Sequence, residues 1–198
     1  MNINLVINQT NILNLMVGLC SSALIISVIA DFLLYQENDN TKKVKKSKVA
    51  TGNMSLLFFV IYILIMSNTG KINIINNYKI IVIAVGMTLT IIGTVFNIMG
   101  RFYLSSNWAN HIKIYDNHSL ILSGPYKIVR HPLYASLIWF GIGVGLVYSN
   151  ILVIVLICII FIPMMYYRAK QEEQLLKERF DEYTKYKNKV GMFFPKIF

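Results

Sequence analysis

An all-α, polytopic membrane helix bundle is the fold this sequence predicts, and three observations predict it. Hydrophobic residues make up 56% of the 198 residues, and the mean hydropathy of +0.55 is well above that of an ordinary soluble domain. The apolar residues gather in long runs separated by charged connectors, the pattern of a chain that crosses a bilayer repeatedly. The basic residues behind the net charge of +10 fall almost wholly in alternate connectors. That distribution fits orientation in a membrane rather than a nucleic-acid surface, so no nucleic-acid partner is expected.

Residues 12–35 form the first apolar run. It has no basic segment before it and is too long for a signal-peptide core, so it reads as a retained membrane helix. A polar loop over residues 36–52 carries Lys42, Lys43, Lys45, Lys46 and Lys48. The second run, 54–68, is short for a hydrocarbon core about 30 Å thick. An Asn-rich connector leads to the third run, 80–104, in which Gly86, Gly93 and Gly100 recur every seven residues. That spacing lays the glycines along one face and lets a second helix approach closely.

After a long polar connector, the fourth run (132–148) carries Gly141, Gly143 and Gly145, a second small-residue surface. Ser149-Asn150 turns the chain straight into the fifth run, 151–167, so these two spans form a closing antiparallel hairpin. Pro163 removes the hydrogen bond to the Ile159 carbonyl and is expected to kink the helix near its end. Residues 168–189 read as one charged amphipathic helix, with Leu176, Phe180 and Tyr183 on its apolar stripe. The whole of 1–198 is expected to form a single integral membrane domain.

Five spans put alternate connectors on opposite sides. The first connector, the third (counting Arg101) and the C-terminal segment hold seventeen of the nineteen Lys and Arg residues; the second holds Lys71 and Lys79. By the positive-inside rule the N-terminus lies outside and the C-terminus in the cytoplasm. Asp31 and Arg101, at the cytoplasmic ends of the first and third spans, are expected either to pair or to turn towards headgroups, because isolated intramembrane charge is costly.

The stretch S-G-P-Y-K-I-V-R-H-P-L-Y, residues 123–134, is where chemistry concentrates. Gly124-Pro125 signals a turn. Pro132 suits the first position of a helix and keeps His131 out of the helical region. His131 therefore stands near an N-cap, where free N–H groups and the helix dipole attract an anion. Tyr126, Lys127, Arg130 and Tyr134 surround it. The hairpin brings Arg168 and Glu172, four residues apart on one helix face, to the same end. The plainest alternative for those two is an exposed ion pair of about 0.3–0.5 kcal/mol. His111, His118 and His131 match no dense ligand motif, and Cys20 and Cys158 sit inside apolar runs, so no metal site and no disulfide are expected. No G-x-G-x-x-G follows a strand.

The run H-S-L-I-L-S-G-P-Y-K-I-V-R-H-P-L-Y, residues 118–134, resembles the signature of the isoprenylcysteine carboxyl methyltransferase family. Arg168, Glu172-Glu173, Leu175-Leu176, Phe180, Tyr183, Tyr186 and Pro195 follow in the order of the family's second block. The signature region is 105–198; the first hundred residues are similar only in hydropathy. The resemblance implies an integral membrane methyltransferase using S-adenosylmethionine. It implies cofactor contacts at His118, Ser119, Leu120, Ile121, Tyr126, His131, Pro132, Leu133, Tyr134 and Glu172, with His131 also in the reacting centre and Arg168 positioning the acceptor. Some relatives carry Gln at the position of His111. The family's usual Gly after H-P-x-Y is replaced here by Ala135-Ser136.

These residue types suit methyl transfer. An in-line displacement from a sulfonium needs alignment and exclusion of water more than covalent help. A carboxylate such as Glu172 holds an ammonium or ribose hydroxyls, and the planar fork of Arg168 matches an anionic acceptor. The expected partners are a lipophilic or lipidated acceptor and membrane lipids, the acceptor group being a carboxylate or thiol. Phospholipid amine N-methyltransferases have similar blocks. NADPH-dependent membrane sterol reductases share a G-P-Y…R-H-P-x-Y ending, although this chain is short for them. A non-catalytic scaffold or transport protein is the remaining class.

Overall fold

Runs of Ile, Leu, Val and Phe within a bilayer satisfy their backbone groups only as helices, and helices are what these runs form. A computed structural model describes residues 3–34, 41–45, 51–104, 112–115 and 120–196. In chain order it contains α1 (Ile3–Leu34), β1 (Thr41–Lys45), α2 (Thr51–Met66), α3 (Asn76–Leu104) and β2 (Ile112–Tyr115). A 3₁₀ turn (Gly124–Lys127) then precedes α4 (Pro132–Val147), α5 (Ile151–Leu156), a π turn (Ile157–Phe161), α6 (Ile162–Arg179) and α7 (Tyr183–Lys189). Thr10–Asp31, Asn77–Leu104 and Ile151–Arg179 are long and apolar enough to cross a membrane; Met54–Met66 and Pro132–Val147 are shorter apolar helices.

The glycine stripe of α3 is a packing surface. A Cβ at Gly86 would lie 2.8 Å from the Gly143 carbonyl, and one at Gly93 would lie 2.7 Å from the Ser136 carbonyl, so α3 and α4 meet backbone to backbone. The other side of α4 turns Gly141 and Gly145 towards Ile157 and Ile154. Helix α4 is thus enclosed between α3 and the returning α5, which is why it is apolar all round. The reversal between them uses Ser149 at positive φ, and the Asn150 side chain accepts a hydrogen bond from Val153 N (3.2 Å). One core runs from Val129 through Ala135, Ile138, Val153, Ile157 and Phe161 to Met165 and Ala169. A second joins Val17 and Leu24 of α1 to Met87, Phe140 and Val144.

The connectors group at two ends. Ile72 N donates to the Ser149 carbonyl and Ile151 N to the Gly70 carbonyl, tying the second connector to the fourth. At the opposite end Val129 bridges Gly191, and β1 pairs antiparallel with β2, with Val44 opposite Lys113. Apart from this ribbon the described elements are helical, in line with the all-α expectation. Each strand is too short to declare itself, and its partner lies in a distant connector.

Before Pro163 the hydrogen-bond ladder widens into the π turn, and α6 runs on to Arg179. One expectation needs correction. Residues 168–189 are not one helix, because Phe180 adopts an extended conformation (φ −126°, ψ 109°) and α7 begins afresh at Tyr183. Asp31 and Arg101 are paired with each other. Arg101 Nε also donates to Asn97 Oδ1 (2.8 Å), and Asn97 Nδ2 donates to Ser136 Oγ (2.7 Å), so a polar chain links α1 through α3 to the first turns of α4.

Candidate active site

The approach to α4 is shaped by its own sequence. Gly124 has φ +57°, and a Cβ there would strike the Tyr103 ring. Pro125 and Tyr126 are buried beyond it, and the Tyr126 hydroxyl reaches the Gly100 carbonyl (3.5 Å). Pro132 takes the first helical position, as expected, and His131 is the N-cap (φ −124°, ψ 70°). The His131 side chain does not cap the helix. Its ring turns instead towards α6 and stacks on Tyr134, with centroids 5.6 Å apart and planes 10° from parallel.

Adjacent helical residues do not face the same way, so the Glu172-Glu173 doublet is divided between two environments. The Glu173 side chain is 2% exposed and fully engaged. Its Oε1 accepts from Arg130 Nε (2.8 Å) and lies 3.4 Å from His131 Nε2; its Oε2 accepts from Lys187 Nζ (2.7 Å). Arg130 Nη1 meanwhile donates to the carbonyls of Lys187 and Val190. Arg130 N donates to the Gly191 carbonyl (2.8 Å) and His131 N to that of Met192 (3.2 Å). One buried carboxylate therefore clamps α7 and the tail against residues 130–131. The clamp also sets Phe193 edge-on to His131 at 6.3 Å.

Glu172 is different, with a side chain 39% exposed. Its Oε2 accepts from the Tyr134 hydroxyl (3.1 Å) and lies 3.5 Å from His131 Nδ1. Arg168 Nε donates to that same hydroxyl (3.1 Å), and its guanidinium lies 6.0 Å from the centre of the Tyr134 ring. Arg168 is buried, so the alternative of an exposed surface pair does not apply; the Tyr134 hydroxyl stands between Arg168 and Glu172. Burial disfavours the charged form of His131, but Glu172 and Glu173 on either side outweigh it and hold its pKa above the usual imidazole value. Burial raises the phenols of Tyr126, Tyr183 and Tyr186, so these remain hydrogen-bond donors.

Of the expected site residues, Tyr126, His131, Pro132, Leu133, Tyr134, Arg168 and Glu172 gather around the start of α4, and Leu120 and Ile121 are partly buried ahead of the 3₁₀ turn. His118 and Ser119, like His111, lie outside the described residues. Among the described residues no group of three or more His, Cys, Asp or Glu side chains is arranged to hold a metal. The sequence put Arg130 in the cluster around His131 without indicating its partner, and pointed to no site role for Glu173, Lys187 or Tyr186. The Tyr186 hydroxyl donates to the Tyr126 carbonyl (2.5 Å). The Glu doublet was the available signal, since two adjacent carboxylates on one helix need two sets of partners.

Among the described residues two buried side-chain polar atoms have no hydrogen-bond partner, Gln171 Oε1 and the Tyr183 hydroxyl. The half-exposed Glu172 carboxylate, beside the N-cap His131 of α4, can receive a cationic group, and the α4 N-terminus an anionic one.

Comparison with known proteins bears on the same region. Residues 84–178 match the model of the isoprenylcysteine carboxyl methyltransferase (ICMT) family. A protein-S-isoprenylcysteine O-methyltransferase of Saccharomyces cerevisiae is 32% identical over 118 residues, covering 54% of this chain and 49% of the relative. A probable protein-S-isoprenylcysteine O-methyltransferase of Oryza sativa subsp. indica is 29% identical over 116 residues, 57% of this chain and 61% of the relative. The cobalt-zinc-cadmium resistance protein CzcN of Cupriavidus metallidurans is 28% identical over 111 residues, 56% of this chain and 50% of the relative. The match covers about half to three-fifths of the length of these curated relatives. The matched residues 84–178 carry α4, Arg168 and the Glu doublet, so the likeness to the isoprenylcysteine carboxyl methyltransferase family falls on the site itself.

Proposed function

We propose that this protein is an S-adenosylmethionine-dependent membrane methyltransferase acting on a lipophilic or lipidated acceptor through a carboxylate or thiol. The observation that carries the reading is the convergence of Glu172, Tyr134, His131 and Arg168 at the start of α4, on the family-matched part of the chain. These residues fit the cofactor's chemistry. Glu172 offers a half-exposed carboxylate to an ammonium or to ribose hydroxyls, and the start of α4 offers N–H donors to a carboxylate. When bound, S-adenosylmethionine supplies a methyl group on a sulfonium, open to in-line displacement.

In this reading Glu172 and the α4 residues Pro132, Leu133 and Tyr134 hold the cofactor's polar end. Leu120, Ile121 and Tyr126, with His118 and Ser119, line the remainder. His131, whose cationic form the two flanking carboxylates favour, orders Glu172. Arg168 presents its guanidinium to an anionic acceptor, which needs no base when it is already ionised. The apolar helices cross the membrane five times, and the charge distribution puts the N-terminus outside and the site in the cytoplasm. In intact cells, a cysteine placed at Asn150 should be labelled from outside and one at Lys187 should not.

The deciding experiment incubates membranes containing the protein with deuterated-methyl S-adenosylmethionine and follows the label by mass spectrometry. Label in an O- or S-methylated lipophilic product supports the proposal. Label in a phospholipid amine would move the reading to N-methylation, and binding of NADPH without S-adenosylmethionine would refute methyl transfer.

A further inference from the structure

Helix α4 carries the first turn of the site, yet glycine and aliphatic surfaces supply most of what holds it, contacts that are close but not directional. One contact is directional. Asn97 of α3, 1% exposed, donates from Nδ2 to Ser136 Oγ (2.7 Å) and reaches the Leu133 carbonyl (3.5 Å), and Ser136 Oγ donates in turn to that carbonyl (2.8 Å). An amide donates only from its nitrogen end, so this relay needs the Asn97 side chain turned one way round. Arg101 turns it: Nε donates to Asn97 Oδ1 (2.8 Å), which leaves Nδ2 facing α4. Arg101 is held by Asp31 of α1, itself buried. Close by, a Cβ at Gly100 would lie 3.1 Å from Leu133 Cδ2, so this end of α3 lies tight against the first turn of α4. Ser136, wholly buried, belongs to the Ala135-Ser136 pair that replaces the glycine usual after H-P-x-Y, and Asp31 lies outside the matched residues 84–178.

We propose that Asn97 is a positioning residue of the site: oriented by the Asp31–Arg101 pair, it pins the first turn of α4 and so fixes where Tyr134 presents its hydroxyl to Glu172 and Arg168. The inference rests on the proposed function and adds α1 and α3 to the framework of the site. Leu133, whose carbonyl receives the relay, directly precedes Tyr134, and the Tyr134 hydroxyl stands 3.1 Å from both Glu172 Oε2 and Arg168 Nε. Rotation of α4 would carry that hydroxyl away from both partners together. A satisfied polar chain in an apolar bundle resists such rotation, because each broken bond leaves a buried group unpaired.

The test uses the full chain in detergent. Asn97→Asp keeps the shape and the Arg101 contact but turns a donor into an acceptor facing the Leu133 carbonyl. Arg101→Lys keeps the charge opposite Asp31 but loses the planar fork that holds Asn97 as well. Gly86→Ala, where a Cβ would lie 2.8 Å from the Gly143 carbonyl, disturbs the α3–α4 contact away from the site and marks a loss of packing alone. Isothermal titration with S-adenosylmethionine gives the dissociation constant and the fraction of competent sites, and hydrogen exchange over residues 135–140 reads the start of α4 without ligand. Asn97→Asp and Arg101→Lys should bind about five- to tenfold more weakly with stoichiometry preserved, and these amides should exchange faster. Gly86→Ala should lower the thermal midpoint and leave the dissociation constant alone. Unchanged affinity in Asn97→Asp, or in Arg101→Lys should the first variant not fold, overturns the inference. An equal affinity loss in Gly86→Ala overturns it too, because affinity would then merely follow stability. If the wild type fails to bind S-adenosylmethionine, the proposed function falls and this inference with it; normal binding by the wild type and by both variants removes the inference alone.

Discussion

Replacing each member of the Glu doublet by Gln should produce two different phenotypes from the same chemical change. Glu173 is 2% exposed and is surrounded by Arg130, His131 and Lys187, with a nearest contact of 2.7 Å. Glu173→Gln retains shape but removes the charge that balances the buried Arg130 guanidinium. Breaking one side of a buried pair typically costs about 3–5 kcal/mol, and the retained amide oxygen puts the expected loss near the lower end, about 3 kcal/mol. The loss should concentrate in α7 and the tail, which Arg130 holds through the carbonyls of Lys187 and Val190. Glu172, at 39% exposed with one oxygen held by Tyr134, should cost less than about 1 kcal/mol of stability when changed to Gln. Its effect should fall on S-adenosylmethionine affinity instead, by about 1.5–3 kcal/mol for a lost charge-assisted contact, roughly ten- to 150-fold. Chemical unfolding in detergent, hydrogen exchange over residues 183–193 and isothermal titration measure the three quantities. Equal stability losses in the two variants, or an affinity loss confined to Glu173→Gln, would refute the division of roles.

Arg168 and Glu172 both bond to the Tyr134 hydroxyl, so Arg168→Ala and Tyr134→Phe should be non-additive in cofactor affinity, with a coupling of at least about 0.5 kcal/mol in a double-mutant cycle; strict additivity would separate the two groups. The raised pKa of His131 means that its contribution to stability is fully present below its unfolded value, about 6.5, and is lost as pH rises through the higher folded value. The unfolding midpoint should therefore fall across that interval, and His131→Gln should flatten the profile; an unchanged profile would show that His131 is not the titrating group. At Gly93 a Cβ would lie 2.7 Å from the Ser136 carbonyl, so Gly93→Ala should destabilise the α3–α4 contact by about 1–3 kcal/mol, read as a lower thermal midpoint; a neutral result would mean the helices part at little cost.

The sequence by itself determined the elements whose physics is local. Hydropathy located the apolar helices, because in hydrocarbon a run of Ile, Leu and Val has no other way to satisfy its backbone. The heptad glycines of α3 announced a packing face, and Pro132 announced the start of α4, because both act through their own backbone geometry. The pairing of Asp31 with Arg101 was anticipated as one of two outcomes, since isolated charge is excluded from the bilayer.

Only the tertiary structure decided what depends on distant partners. Glu172 and Glu173 are the same residue type on the same helix. What separates them is that Arg130, from the third connector, and Lys187, from α7, reach one and not the other. The break at Phe180 follows from the fold as well, because it lets α7 turn back and place Tyr183 and Tyr186 beneath the clamp. The β1–β2 ribbon belongs to the same category: each strand is only four or five residues long and acquires its hydrogen bonds only when the fold brings two distant connectors together. A linear pattern records the periodicity of one element, whereas the identity of a buried charge's partner is set by which elements the packed glycines and apolar cores hold side by side.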